Sequence, residues 1–202
     1  YILSLITNQK IFLELHYPFI NKKTLSYFFI KKIVTLKNIR FVFISKSLRK
    51  IYQKKFKKFQ KNFVIAHDAS ENFKSSEPKN KRIQVGYSGH LYKGRGIFLI
   101  FELAKKLKNY DFNIAGGEEE TLKYFIDKSK TLKNVKFYVN ISHNKMNSFF
   151  SKNHILIAPY EKKVTAGEGI ETSRFMSPLK IFEYMSSKKP FISSNHRVLK
   201  EV

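Results

Sequence analysis

The run Ser177-Pro178-Leu179-Lys180-Ile181-Phe182-Glu183-Tyr184-Met185 has the residue types of a helix start built to hold a phosphate. Ser177 suits the N-cap, and Pro178 suits the first helical position, where its missing N–H costs nothing and its φ is already helical. The amides of Leu179 and Lys180 then lack helical partners. A helix N-terminus carries a partial positive charge that favours anions, and Lys180 adds a full one. Glu183, three residues after Lys180, shares its face and offers a carboxylate to hydroxyl groups. Leu179, Phe182 and Met185 form the apolar stripe expected to be buried. Taken alone, the segment also fits an ordinary amphipathic helix with a solvated Lys-Glu pair.

A second segment, Gly86-Tyr87-Ser88-Gly89-His90-Leu91-Tyr92-Lys93-Gly94-Arg95-Gly96-Ile97, follows a strand pattern and opens a helical one. Glycines there let backbone amides approach a phosphate, with Lys93 or Arg95 to neutralise it. It is not a Walker A loop, because Arg95 and Gly96 stand where Lys and Ser/Thr are required, nor a dinucleotide fingerprint, because Leu99 stands where the third glycine belongs. A plain tight turn is the alternative. The stretch from Tyr160 to Met176 is long for a connection in an α/β unit and runs into the phosphate-type helix start, which favours a ligand loop holding Glu168 and Glu171. Glu14-Leu15-His16 closes a strand at the edge where open α/β sheets bind ligands, and His67-Asp68 closes another or caps its turn. No His, Asp and Glu grouping has metal-ligand spacing, and no Ser-His-Asp order stands out.

Short Val-, Ile- and Phe-rich runs alternate with helical periodicity. Strands are expected at Ile11 to Leu15, Phe41 to Ile44, Phe63 to Ala66, Ile83 to Ser88, Asp111 to Ala115, Val135 to Val139, Ile155 to Ala158 and Phe191 to Ser193. Helices are expected at Leu25 to Leu36, Ser47 to Phe59, Ile97 to Lys108, Glu118 to Ser129, Lys145 to Phe150 and Pro178 to Ser186. That alternation argues for an α/β protein with parallel sheets covered on both faces. The polar stretch Ser70 to Arg82 is the linker, giving a partial first domain at 1–75 and a fuller second at 76–202. The sequence is expected to be part of a longer chain.

A formal net charge of +24 ordinarily points to nucleic acid or an anionic membrane. Here 33 of the 39 basic residues are Lys and six are Arg, whereas base and phosphate recognition favours the Arg fork. The excess is therefore read mostly as solvated surface. From Lys46 to Lys61, Leu48, Ile51, Tyr52, Phe56 and Phe59 form one stripe among lysines; the stripe is expected to face its own sheet, leaving the lysines to touch lipid headgroups. With no Cys and no apolar run near 18 residues, disulfides and spanning helices are not expected, and the expected location is cytoplasmic, peripheral on the inner face of the cell membrane.

Together these stretches resemble the retaining glycosyltransferases of family 4, the group 1 type with the GT-B fold. The resemblance runs from about Val64 to the end and rests on Val85-Gly86-Tyr87-Ser88-Gly89 with Lys93-Gly94, on Asn113-Ile114-Ala115-Gly116-Gly117, and on Ser177 to Met185 followed by Lys189-Pro190-Phe191-Ile192. Glu14-Leu15-His16 looks like the family's strand-end motif ending in His. The resemblance implies two Rossmann-like domains, the first incomplete, with a nucleotide-sugar donor held mainly by the second. It implies that Gly89, His90 and Lys93 meet the diphosphate with the Ser177, Leu179 and Lys180 helix start, that Glu183 holds the ribose, and that His16 sits beside the transferred sugar. The family's first Glu falls eight positions before Glu183, on Phe175; Glu168 or Glu171 is the candidate replacement. His90 stands where many members carry Arg, with Arg95 or Arg174 as substitutes.

The expected chemistry is transfer of a sugar to a glycan or lipid-linked acceptor in surface polysaccharide or glycolipid synthesis. His16, Lys93 and Glu183 are its catalytic residues. The leaving diphosphate is stabilised by the helix N-terminus and by Lys93 and Lys180 rather than by a metal, consistent with the lack of an Asp-x-Asp pair, and no cofactor is expected. Nucleic acid is not an expected partner. The competing readings are a non-catalytic basic module and a GT-B sugar-nucleotide epimerase.

Overall fold

Among the described residues eight parallel strands fall into two sheets. The computed structural model describes residues 9–19, 21, 23–56, 63–74, 76–139, 141–166 and 169–202. The chain divides into two units: the first takes the chain up to Asp68 with Arg174–Ser177 and Arg197–Val202, and the second takes Ala69–Ser173 and Pro178–His196. A single cut at 75/76 differs from this division in three segments: residues 69–75 go with the second unit, and Arg174–Ser177 and Arg197–Val202 with the first.

In the first unit, β1 (Ile11–Leu15), β2 (Ile39–Phe43) and β3 (Phe63–Ile65) pair in parallel in that order. Helix α1 (Leu25–Ile33) is capped by the Thr24 hydroxyl, and α2 (Lys46–Lys55) by that of Ser45, which accepts the Leu48 amide at 3.0 Å. The carboxylate of Glu201 receives the Lys46 and Ser47 amides at 2.6 and 3.0 Å, an anion on the positive end of α2. Leu48, Tyr52 and Phe56 are buried against Phe43 and Phe41, so the apolar stripe of α2 faces its own sheet as its spacing implies. Phe59 lies outside the described residues.

The second unit has β4 (Ile83–Ser88), β5 (Tyr110–Ala115), β6 (Val135–Tyr138), β7 (Ile155–Ala158) and β8 (Phe191–Ser193), ordered β6-β5-β4-β7-β8 and all parallel. Order therefore reverses between β4 and β7. In such sheets the crevice at the carboxyl ends of those two strands is where ligands bind. The helices are α3 (Ile97–Lys106), α4 (Glu119–Lys128), α5 (Met146–Ser151, after a 3₁₀ turn at His143–Lys145) and α6 (Leu179–Ser186). Val85, Phe112, Ile114 and Ile157 pack on Ile100, Phe101 and Ala104 of α3 and on Leu122 and Phe125 of α4.

The expected strands and helices are present, with ends moved by a few residues. Among the described residues no helix is long and apolar enough to cross a membrane.

Candidate functional site

The site is built at the β4–β7 reversal of the second unit. Strand β4 ends in a turn whose Gly89 amide donates to the Ala115 carbonyl at 2.9 Å, while the Tyr87 hydroxyl donates to the His90 carbonyl at 2.7 Å. Gly89 sits at φ +128° and Gly116 at φ +108°, both in the left-handed region that favours glycine. The two run so close that side chains are excluded from their contact. The loop after β7 closes on the same turn: the Lys93 carbonyl accepts the Thr165 amide at 3.1 Å and its hydroxyl at 2.9 Å.

Helix α6 supplies the other wall, but with a different cap and a different buried face from those expected. Its N-cap is Pro178, which has no side-chain donor or acceptor, and the Ser177 hydroxyl instead accepts the Asp68 amide at 2.9 Å within the first unit. The first-turn amides of Leu179 and Lys180 thus have no helical acceptor, while Ile181 already bonds back to the Pro178 carbonyl. Leu179 and Met185 are 47% and 42% exposed, so the expected stripe is not the buried one; Lys180, Ile181 and Tyr184 are. The cause is Tyr184. Its hydroxyl accepts the Ser88 amide at 2.9 Å and lies 3.3 Å from the Ile157 carbonyl, locking α6 against the ends of β4 and β7 and turning Lys180 inward.

Lys180 is 8% exposed. Its Nζ stands 3.5 Å from the centroid of the Tyr87 ring and 5.4 Å from that of Tyr160, with no hydrogen-bond partner among the described residues. A Cβ placed on Gly89 would lie 3.2 Å from that Nζ, so the lysine nitrogen and the glycine turn share one corner. Burial pushes the Lys180 pKa well down, and the nearby Arg95 guanidinium adds to this; Glu183 opposes both. Glu183, one turn further, is half-buried, and burial raises its carboxyl while His143 and Lys180 pull it back.

Lys93 is exposed at the mouth of the turn. His90 is exposed and stacks on Tyr92 at 4.8 Å with rings 3° apart, and the Tyr92 hydroxyl donates to Glu118 at 2.7 Å. Arg95, which heads α3, lies with its guanidinium 5.7 Å from the Tyr160 ring. Gly89, Lys180 and Glu183 are thereby brought into one neighbourhood, and Arg95 joins them. Glu171 is exposed and accepts the Ser173 hydroxyl at 2.9 Å; Glu168 lies outside the described residues. Phe175, at the family's first-Glu position, belongs to the core of the first unit.

In that first unit, His16 is exposed and paired with Glu14, Nε2 to Oε1, at 2.9 Å. Asp68 is half-buried, its carboxyl raised by desolvation although His16 pulls it down. Among the described residues no group of three His, Cys, Asp or Glu could hold a metal ion. Sequence reasoning missed Tyr87, Tyr160, Tyr184 and His143 as site residues. The first three sit in or beside apolar strand and helix patterns, and only the hydroxyl on an otherwise core-like position marks them.

A family model described as glycosyl transferases group 1 matches residues 68–202. Among solved structures, Anabaena HepE in complex with UDP and glucose superposes with a TM-score of 0.67 at 15% identity, covering 99% of this chain and 56% of that one. A mutant of S. aureus TarM in complex with fondaparinux, alpha-GlcNAc-glycerol and UDP gives 0.65 at 15% identity, covering 95% and 38%. A glycosyltransferase from Rickettsia africae gives 0.65 at 14%, covering 95% and 53%. The fold is thus the parallel α/β fold of GT-B glycosyltransferases. The chain spans about half or less of the length of these structures. No curated protein matches.

Proposed function

The chain belongs to the glycosyl transferases group 1, and from that premise we propose that it moves a sugar from a nucleotide-sugar donor to a glycan or lipid-linked acceptor, with retention and without a metal, as family 4 members do. The reading is carried by one observation: Lys180 Nζ and the free first turn of α6 meet the Gly89 turn at the point where strand order reverses. That is a donor-rich, low-dielectric corner, suited to the charge that develops on a departing diphosphate.

In this proposal the amides at Gly89, Leu179 and Lys180 and the Lys93 ammonium hold the diphosphate, and Glu183 accepts hydrogen bonds from the ribose hydroxyls. His90 reaches the same phosphates from the turn, and Glu171 or Glu168 meets the donor sugar. Residues 76–202 are the donor-binding part and 1–75 the acceptor part, with His16, bonded to Glu14, the catalytic residue of the latter. The role of the protein is in surface polysaccharide or glycolipid synthesis at the inner face of the cell membrane. With the apolar stripe of α2 turned into its own core, the lysine face of that helix is what remains to meet anionic headgroups.

The test is a thermal-shift and calorimetric screen of UDP, GDP, ADP and their sugars, followed by product analysis with lipid-linked and glycan acceptors. A ligand bound only by the folded state raises the melting temperature by mass action. Binding of one nucleoside diphosphate and acceptor-dependent product are the expected results. A chain that binds none of them but binds RNA steeply with falling salt overturns the proposal in favour of a basic module.

A further inference from the structure

Three buried polar atoms converge on one place in the second unit: Lys180 Nζ, which has no hydrogen-bond partner among the described residues, the Tyr160 hydroxyl, and Arg95 Nε, whose guanidinium acts on that hydroxyl. The Tyr160 ring lies 5.4 Å from the Lys180 ammonium and 5.7 Å from the Arg95 guanidinium, so the three belong to one cluster. Lysine and arginine can only donate. Burial lifts the Tyr160 hydroxyl to about 12, which keeps it a protonated donor as well. Among the described residues the carboxylate in this neighbourhood is Glu183, itself pushed toward its protonated form by burial.

Such a cluster is short of negative charge. An ammonium with three unpaired hydrogens, next to a guanidinium, loses its hydration, and attraction to the faces of Tyr87 and Tyr160 offsets only part of that loss. A diphosphate at the Gly89 turn changes the balance, because two or more negative charges arriving beside a desolvated amine favour its protonated form. We propose, on the basis of the donor site described above, that Lys180 takes up a proton from solvent as the diphosphate binds and gives it back when the nucleoside diphosphate leaves. Nζ is the atom that gains and loses the proton, and no other bond is made or broken. The groups facing Nζ from the elements around it are Tyr87 of β4, Arg95 before α3, Tyr160 after β7 and Glu183 of α6, with His143 beyond Glu183. Donor affinity then falls as pH rises, and the linked proton belongs to Lys180.

Calorimetric titration of the full chain with UDP and with GDP at pH 8, in Tris and in HEPES, measures this directly. The pH lies above the ordinary histidine range, so a change in binding enthalpy between buffers of different ionisation enthalpy counts protons bound elsewhere. Net proton uptake, of up to about one proton per nucleotide, is expected for the native chain. None is expected for Lys180→Arg, which stays charged, or for Lys180→Met, which is never charged, though both bind more weakly. Nucleotide binding with the same enthalpy in both buffers overturns the proton linkage and leaves the donor site standing. Uptake that persists in Lys180→Met assigns the proton to another group and also overturns it. Failure of the native chain to bind any nucleoside diphosphate overturns both.

Discussion

A Cβ on Gly116 would stand 2.6 Å from the carbonyl oxygen of Gly89, so the turn after β4 is shaped by the absence of a side chain on the next strand's loop. The contact is with backbone, which cannot swing aside as a side chain can. The phosphate-type turn is therefore a property of two loops together, Gly89 and Gly116-Gly117, and not of the β4 loop alone.

Gly116→Ala is expected to cost about 2 kcal/mol or more, from left-handed strain plus the clash with Gly89. Gly169→Ala, also at positive φ (+71°) but in open space, is expected to cost about 1 kcal/mol. Urea unfolding of both variants gives the comparison, with nucleotide affinity lost only in the first. Equal costs would mean that the Gly89–Gly116 approach does not constrain the turn.

Tyr184→Phe removes the acceptor of the buried Ser88 amide while preserving the ring that packs on Phe150 at 6.0 Å. An unsatisfied buried donor costs about 1–3 kcal/mol. Because the same hydroxyl sets the rotation of α6, nucleotide affinity is expected to fall together with stability. Stability loss at unchanged affinity would separate the helix's anchoring from its ligand face.

How much of this was legible in the residues differs by level. The α/β alternation was, because Val-, Ile- and Phe-rich runs between helical periods leave few other folds, and the α2 stripe followed its spacing into the core. The rotation of α6 was not. Leu179, Phe182 and Met185 offer an apolar i, i+3, i+6 row, yet the helix buries Lys180, Ile181 and Tyr184, since the Tyr184 ring packs on Phe150 and Phe191 and its hydroxyl bonds Ser88 and the Ile157 carbonyl. Nor was the cap: Ser177 has the right type, but the helix starts one residue later with Pro178 at its N-cap, and the Asp68 amide, 109 positions away in the chain, donates to the Ser177 hydroxyl. Side-chain hydrogen bonds of long sequence separation leave no local pattern to read.

Lys93→Ala and Glu183→Ala are each expected to lower sugar transfer by at least about tenfold, or about 1.4 kcal/mol of transition-state stabilisation. The Lys93 effect should fall on turnover, since an exposed cation at the mouth of the turn matters most when charge builds on the leaving diphosphate. The Glu183 effect should fall on donor KM. Steady-state kinetics with varied donor distinguishes them, and unchanged rates in both variants would contradict the site.

Phe175→Glu places a carboxylate where relatives of the resembled family carry one. In this chain Phe175 is 5% exposed, stands edge-on to Tyr17 at 6.4 Å, and its carbonyl accepts the Ser45 hydroxyl at 2.8 Å. Burying an unpaired carboxylate there is expected to cost about 3 kcal/mol or more rather than to improve donor use. A variant with native stability and a lowered donor KM would show that the position still serves the donor sugar.

Glu183→Gln tests the cost of the site itself. Burial raises the Glu183 carboxyl above its ordinary value of 4.5 in the folded chain, so the folded state holds that proton more tightly than the unfolded state does. Stability from this group is therefore fully present below the unfolded pKa and is lost as pH rises through the folded one. Above that window the native chain carries a partly desolvated charge that the Gln variant lacks. The variant is expected to melt at a higher temperature than the native chain at pH 7 to 8, with the difference closing toward pH 4, while its affinity for nucleoside diphosphates falls. Melting curves across that pH range decide the point: a variant less stable than the native chain at neutral pH would mean that the pull of His143 and Lys180 on the carboxylate, not the burial of Glu183, dominates the folded site.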